Sequence, residues 1–182
     1  VGIGWNALQN NAGNSGGNMA IGANALLNFN DATVPPNTES GNIAIGEASL
    51  GSLTAGGSNT AVGFNALVNM DTTAGSNTAI GTSALLSDSV GIDNTAVGLN
   101  TLKANTSGSS NTAVGSGALQ NSIGGSLTSN NTAVGAYALN LNNTGYWNVA
   151  FGDSALKINT AGTSNTALGH YTRAALTGAS TD

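Results

Sequence analysis

Residues 58–86 read "SNTAVGFNALVNMDTTAGSNTAIGTSALL". The stretch says nearly the same thing twice. Asn59-Thr-Ala-Val-Gly63 returns as Asn77-Thr-Ala-Ile-Gly81, and each is followed by two variable residues and an Ala-Leu pair, Ala66-Leu67 and Ala84-Leu85. Moving outward in both directions, the glycine that closes the word recurs at Gly4, Gly22, Gly46, Gly63, Gly81, Gly98, Gly115, Gly135, Gly152 and Gly169. The intervals are 18, 24, 17, 18, 17, 17, 20, 17 and 17 residues. A fixed period of this size is the mark of a repeat architecture. The two long intervals carry insertions, near residues 31–41 ("TVPPNTES") and near 122–130 ("SIGGSLTSN"). The last unit, 166–182, is irregular, with Ala175-Leu176 three residues late. Residues 1–182 read as one repeat region, a fragment of a longer chain.

Composition narrows the class. Aromatic residues make up 4% and charged residues 6% of the chain, too few for one large globular core. Hydrophobic residues at 40% and evenly spaced argue equally against disorder. No apolar run approaches the roughly 18 residues of a membrane-spanning helix, so no membrane insertion is expected. Net charge is −5 with three basic residues, Lys103, Lys157 and Arg173, which argues against a nucleic-acid partner. There is no Cys and one His, His170, so neither a disulfide framework nor a usual metal cluster is expected. The glycine-rich words lack the Lys of a phosphate loop. We expect no enzyme, no metal and no cofactor.

The word Asn-Thr-Ala-Val-Gly reads as an extended segment. Thr and Val then share one face, and Asn, Ala and Gly the other. The Thr position also holds Met19, Ile43 and Val149, and the Val position Ile21, Ile45, Ile80, Phe151 and Leu168. On that apolar tolerance the Thr/Val face is expected to point inward. The Ala face is expected to lie outside, open to close approach by a neighbouring chain. The residue before the Ala-Leu pair is Asn6, Asn24, Asn65, Ser83, Asn100 or Ser154. It suits either the cap of a short helical turn or the start of a second short strand. Glycines late in the unit, at Gly56, Gly75, Gly91, Gly108, Gly145 and Gly162, are expected to supply positive φ at the corner.

A unit this short cannot bury its own Val and Leu, each contributing about 1.5–3 kcal/mol only when covered. Stacking like on like solves this. The predicted fold is mainly β, a β-solenoid of about ten coils. Each coil is a short strand plus a turn, a second short strand or a helical turn. Asn18, Asn42, Asn59, Asn77, Asn94, Asn111, Asn131, Asn148 and Asn165 would then form one column. An amide ladder that fixes turns and register is favoured over a ligand-binding stripe.

The words "NTAVGFNAL", "NTAVGLNTL", "NTAVGSGAL" and "NTAVGAYAL" resemble the repeats of phage tail-fibre proteins and related bacterial surface fibres. They are also similar to the shorter head repeats of trimeric autotransporter adhesins. The match covers residues 1 to 170. The resemblance implies a homotrimeric, extracellular, rod-like fibre segment, a virion fibre or a cell-surface adhesin whose partners are copies of itself and a host receptor or surface glycan. Two other readings stand beside it. Tyr137, Tyr146 and Trp147 fall in adjacent coils, and with Asn side chains they suit a carbohydrate-binding module. Plugging a gap in the trimer interface is the plainer role for them. The Thr column, Thr60, Thr78, Thr95, Thr112, Thr132 and Thr166, suits an ice-binding face, although a face that also takes Met and Ile reads as interior. Asp88 and Asp93 share a corner, the one candidate place for a cation, but the calcium-binding repeat word is absent.

Overall fold

Every repeat word forms a strand of two or three residues. The strands are β1 (Gly2–Ile3), β2 (Met19–Ile21), β3 (Ile43–Ile45), β4 (Thr60–Val62), β5 (Thr78–Ile80), β6 (Thr95–Val97), β7 (Thr112–Val114), β8 (Thr132–Val134), β9 (Val149–Phe151), β10 (Ile158–Asn159), β11 (Thr166–Leu168) and β12 (Ala175–Leu176). The computed structural model describes residues 1–11, 16–30, 40–71, 75–123, 128–172 and the backbone of 175–176. Residues 31–39 of the first insertion and 124–127 of the second lie outside these residues.

Strands β1 to β9, then β11, form one parallel sheet of ten strands in chain order. Each strand pairs with the same word one coil later. Ala61 lies on Ala79, Ala79 on Ala96, and Val62 on Ile80. The chain is therefore a β-solenoid of about nine turns. At about 4.8 Å per step, the ten strands span about 43 Å. The irregular last unit keeps step through Thr172, which accepts a hydrogen bond from the Leu156 N–H at 2.9 Å. Ala175-Leu176 of β12 then pairs with Ile158-Asn159 of β10.

The two strand faces are opposite to the sequence expectation. The Ala column points into the coil: Ala20, Ala44, Ala61, Ala79, Ala96, Ala113, Ala133 and Ala150 are fully buried. The Thr/Val face points outward, with Val114 37%, Phe151 54% and Leu168 76% exposed. Among the described residues no strand presents an outside face of Ala for a neighbouring chain to approach. The reason is room. A winding of 17 residues returns so soon that the sheet lies directly against its own turn. Only a methyl group fits between the sheet and the Leu column, Leu26, Leu50, Leu67, Leu85, Leu102, Leu119, Leu139 and Leu156, all fully buried.

No helix occurs among the described residues, and the Ala-Leu segment of the regular coils forms neither a helical turn nor a second strand; the late pair Ala175-Leu176, as β12, is the exception. The regular segment is a chain of tight turns. The Ala66 N–H donates to the Gly63 carbonyl at 3.3 Å, closing a turn whose third residue, Asn65, has φ +54°. A left-handed residue at this place is what the turn requires, and Asn tolerates it better than most. A helix cap would need extended backbone instead. Leu67, at φ +51°, is left-handed too. That conformation costs about 1–2 kcal/mol for a residue with a Cβ. Full burial and the donation of the Leu67 N–H to the Ala84 carbonyl at 3.0 Å offset it.

The glycine after each strand packs against the next coil. At Gly98, with φ +134°, a Cβ would sit 2.8 Å from the Gly115 carbonyl carbon. The late-unit glycines differ from expectation. Gly56 has φ +98°, but Gly75, Gly91, Gly108, Gly145 and Gly162 are not left-handed. They are needed for closeness: at Gly145 a Cβ would fall 2.4 Å from the Gly162 carbonyl oxygen. The left-handed corner residue is the one just before the Asn, namely Ser58, Ser76, Asp93, Ser110, Asn130, Trp147 and Ser164.

A last buried column lies at the same corner as the Asn ladder, on the other side of the late-unit glycines. It runs Phe29, Leu53, Met70, Asp88, Asn105, Ser122, Asn142, Asn159. The column is apolar through Met70 and polar from Asp88 onward.

Candidate functional site

The Asn column is entirely structural in its geometry. Asn42, Asn59, Asn77, Asn94, Asn111, Asn131 and Asn148 are fully buried, and Asn18 and Asn165 nearly so. Each backbone N–H donates to the Oδ1 of the Asn one coil earlier, at 3.1 Å for Asn59 on Asn42 and 2.9 Å for Asn94 on Asn77. The chain of links runs on through Asn111, Asn131, Asn148 and Asn165. The side-chain Nδ2 donates across the coil to a late-unit glycine carbonyl: Asn77 to Gly91, Asn94 to Gly108, Asn131 to Gly145 and Asn148 to Gly162. In Asn131 and Asn148 the Nδ2 is also within 3.1 Å of the preceding Oδ1. The amides are consumed by these bonds and present nothing to a ligand.

The surface that is free is the outward strand face, which sequence reasoning placed inside. Two columns run along it. One is Met19, Ile43, Thr60, Thr78, Thr95, Thr112, Thr132, Val149 and Thr166. The other is Ile3, Ile21, Ile45, Val62, Ile80, Val97, Val114, Val134, Phe151 and Leu168. Five consecutive coils, β4 to β8, carry the same outward pair, Thr and then Val or Ile. Such a ribbon is larger and more regular than the scattered apolar residues of an ordinary surface.

The three singled-out aromatics do not converge. Tyr146 and Trp147 stack edge to face with ring centroids 5.1 Å apart. They precede β9, at the N-terminal edge of the sheet. Tyr137 follows β8, at the opposite edge, with the Lys157 ammonium 5.3 Å from its ring centroid. Trp147 is 60% exposed. Its neighbours one coil away at the same corner are Asn130 and Ser164, not the buried Asn ladder. The acidic pair does not converge either. Asp88 is fully buried while Asp93 is exposed on the outside of the same corner. His170 lies at the surface, 3.2 Å from Asp153. Among the described residues no group of three or more His, Cys, Asp or Glu is placed to hold a metal ion. No helix among them is long and apolar enough to cross a membrane.

No family model matches the chain, and neither does any curated protein or solved structure.

Proposed function

We propose that the chain is a structural and adhesive shaft: a segment of an extracellular fibre, on a phage tail or a bacterial surface, assembled from parallel copies of itself. The observation that carries this reading is the outward face. An interior already filled by Ala, Leu and Asn leaves the Thr/Val ribbon as apolar area without a cover in one copy. A second copy stacked with its rod axis parallel presents the same ribbon at the same spacing, so like meets like at every coil. The closeness of the repeat words to fibre repeats sets the expected number of copies at three. In this reading the shaft has no catalytic role, and it holds a tip toward a host receptor or surface glycan.

Light scattering after gel filtration tests it. The chain should elute as an elongated multimer. Val97→Lys combined with Val114→Lys, two outward changes, should give a monomer that keeps its far-ultraviolet β signal. A native chain that is monomeric at micromolar concentration contradicts the proposal.

A second reading gains from the same face. Thr60, Thr78, Thr95, Thr112 and Thr132 stand outward in consecutive coils, which removes the reason for setting ice binding aside. It requires this face bare. A monomer that shows thermal hysteresis, lost on Thr95→Leu with Thr112→Leu, supports ice binding. A multimer without hysteresis supports the shaft.

A further inference from the structure

Four corners of the solenoid are built alike, and one has the wrong residue. In three of them an Asn three residues before the late-unit glycine grips that glycine. The Nδ2 of Asn105 donates to the Gly108 carbonyl at 3.0 Å, that of Asn142 to Gly145 at 2.7 Å, and that of Asn159 to Gly162 at 2.9 Å. Each of these carbonyls also receives the Nδ2 of a ladder Asn: Asn94, Asn131 and Asn148 respectively. A carbonyl with two lone pairs thus takes two amide donors. In the fourth corner the gripping residue is Asp88. Its Oδ1 accepts the Gly91 N–H at 2.9 Å, as the Oδ1 of Asn105 accepts the Gly108 N–H at 3.1 Å. The Gly91 carbonyl receives the Nδ2 of ladder residue Asn77 at 2.8 Å, and the second donor is missing. Asp88 Oδ2, standing in for the amide nitrogen, is buried and has no hydrogen-bond partner.

We propose that Asp88 keeps its proton in the folded chain and donates it from Oδ2 to the Gly91 carbonyl, so that losing the proton loosens this one corner of the rod. A neutral carboxyl reproduces the donor–acceptor pattern of the Asn amide. An ionised one leaves a buried negative oxygen without a donor. The stacked neighbours pull in opposite senses. Toward the N-terminus the column offers Met70, which has no donor, while toward the C-terminus the Asn105 amide, like that of Asn94, favours the ionised form and is outweighed by burial. The charged groups of the surrounding coils are Asp71 before, Lys103 after and Asp93 on the same corner. All three reach the surface and none is hydrogen-bonded to the carboxyl. Burial pushes the Asp88 carboxyl up to about 7, against the opposing pull of the Gly91 N–H and of the Asn94 and Asn105 side chains. Between the ordinary value of 3.8 and about 7, the folded chain holds a proton that the unfolded chain has released. Stability therefore falls as pH rises through that window and levels off above it.

Titration of the chain carrying carbon-13 at the aspartate carboxyls reads the proton directly and needs no variant. One carboxyl should titrate near neutrality and vanish from the spectrum in Asp88→Asn. If every aspartate titrates in the usual carboxylate range, the proposal is overturned. Asp88→Asn supplies the amide of the sister corners permanently. Its melting temperature at pH 8 should exceed that of the unaltered chain, and the drop in melting temperature between pH 4 and pH 8 should shrink by at least half. A variant that keeps the full drop overturns it equally.

Discussion

At the scale of single residues, this protein is held by amides rather than by large apolar groups. A ladder Asn receives the next coil's backbone N–H on its Oδ1 and donates its own backbone N–H to the Oδ1 before it, and in Asn77, Asn94, Asn131 and Asn148 the Nδ2 also closes the corner. Replacing Asn111 removes three side-chain hydrogen bonds and leaves the buried Asn131 N–H without its partner, a loss of about 1–3 kcal/mol. Asn111→Ala should lower the free energy of unfolding by at least about 2 kcal/mol in urea denaturation. Asn69→Ala, at an exposed position, should change it by less than about 0.5 kcal/mol. Equal effects from the two would mean that the ladder does not hold the coils together. This column was legible in the sequence because its period is strict. Asp88 was not. Its oddity shows only when the corner is built and three Asn residues are seen doing what an Asp does only with its proton.

At the scale of the coil, the governing quantity is thickness. The strand and its facing turn are so close that Ala is the largest side chain the inner strand face accepts, while Leu is delivered from the turn at left-handed backbone. Ala96→Val adds two methyls where there is no room and should cost about 1–3 kcal/mol. Val97→Ile, an enlargement on the outward face already seen at Ile80, should stay within about 0.5 kcal/mol. If the denaturation midpoints moved in the reverse order, the faces would have been assigned wrongly here. The chain itself carried the signal that tells the faces apart, and residue type concealed it. The Ala position of β2 to β9 and β11 never varies, whereas the positions either side range from Thr to Met and from Val to Phe. Invariance within a repeat marks a tight interior, and variation in size marks a surface. Apolar character alone pointed the other way. The turn residues misled for a similar reason: Asn and Ser suit a helix cap and a left-handed turn alike.

At the scale of the whole molecule, the repeat period decided the architecture before any side chain was placed. Equal words at intervals of 17 or 18 residues can bury their Leu only against their own copies. The period says nothing about what covers the outside. That is why the outward ribbon, the surface on which the proposed self-assembly and the ice-binding alternative both rest, emerged only from the built coil. The central claim is that the words are stacked along one axis in chain order, one coil per word. The chain has no Cys, so pairs of Cys can be introduced cleanly for spin labels. Ser58, Asn130 and Ser164 occupy the same exposed left-handed corner in different coils. Electron–electron distance measurement, on labelled chains diluted into unlabelled ones, should give about 19 Å for Ser58→Cys with Asn130→Cys, four coils apart, and about 29 Å for Ser58→Cys with Ser164→Cys, six coils apart. Two distances that fail to grow in proportion to the number of coils would contradict the account.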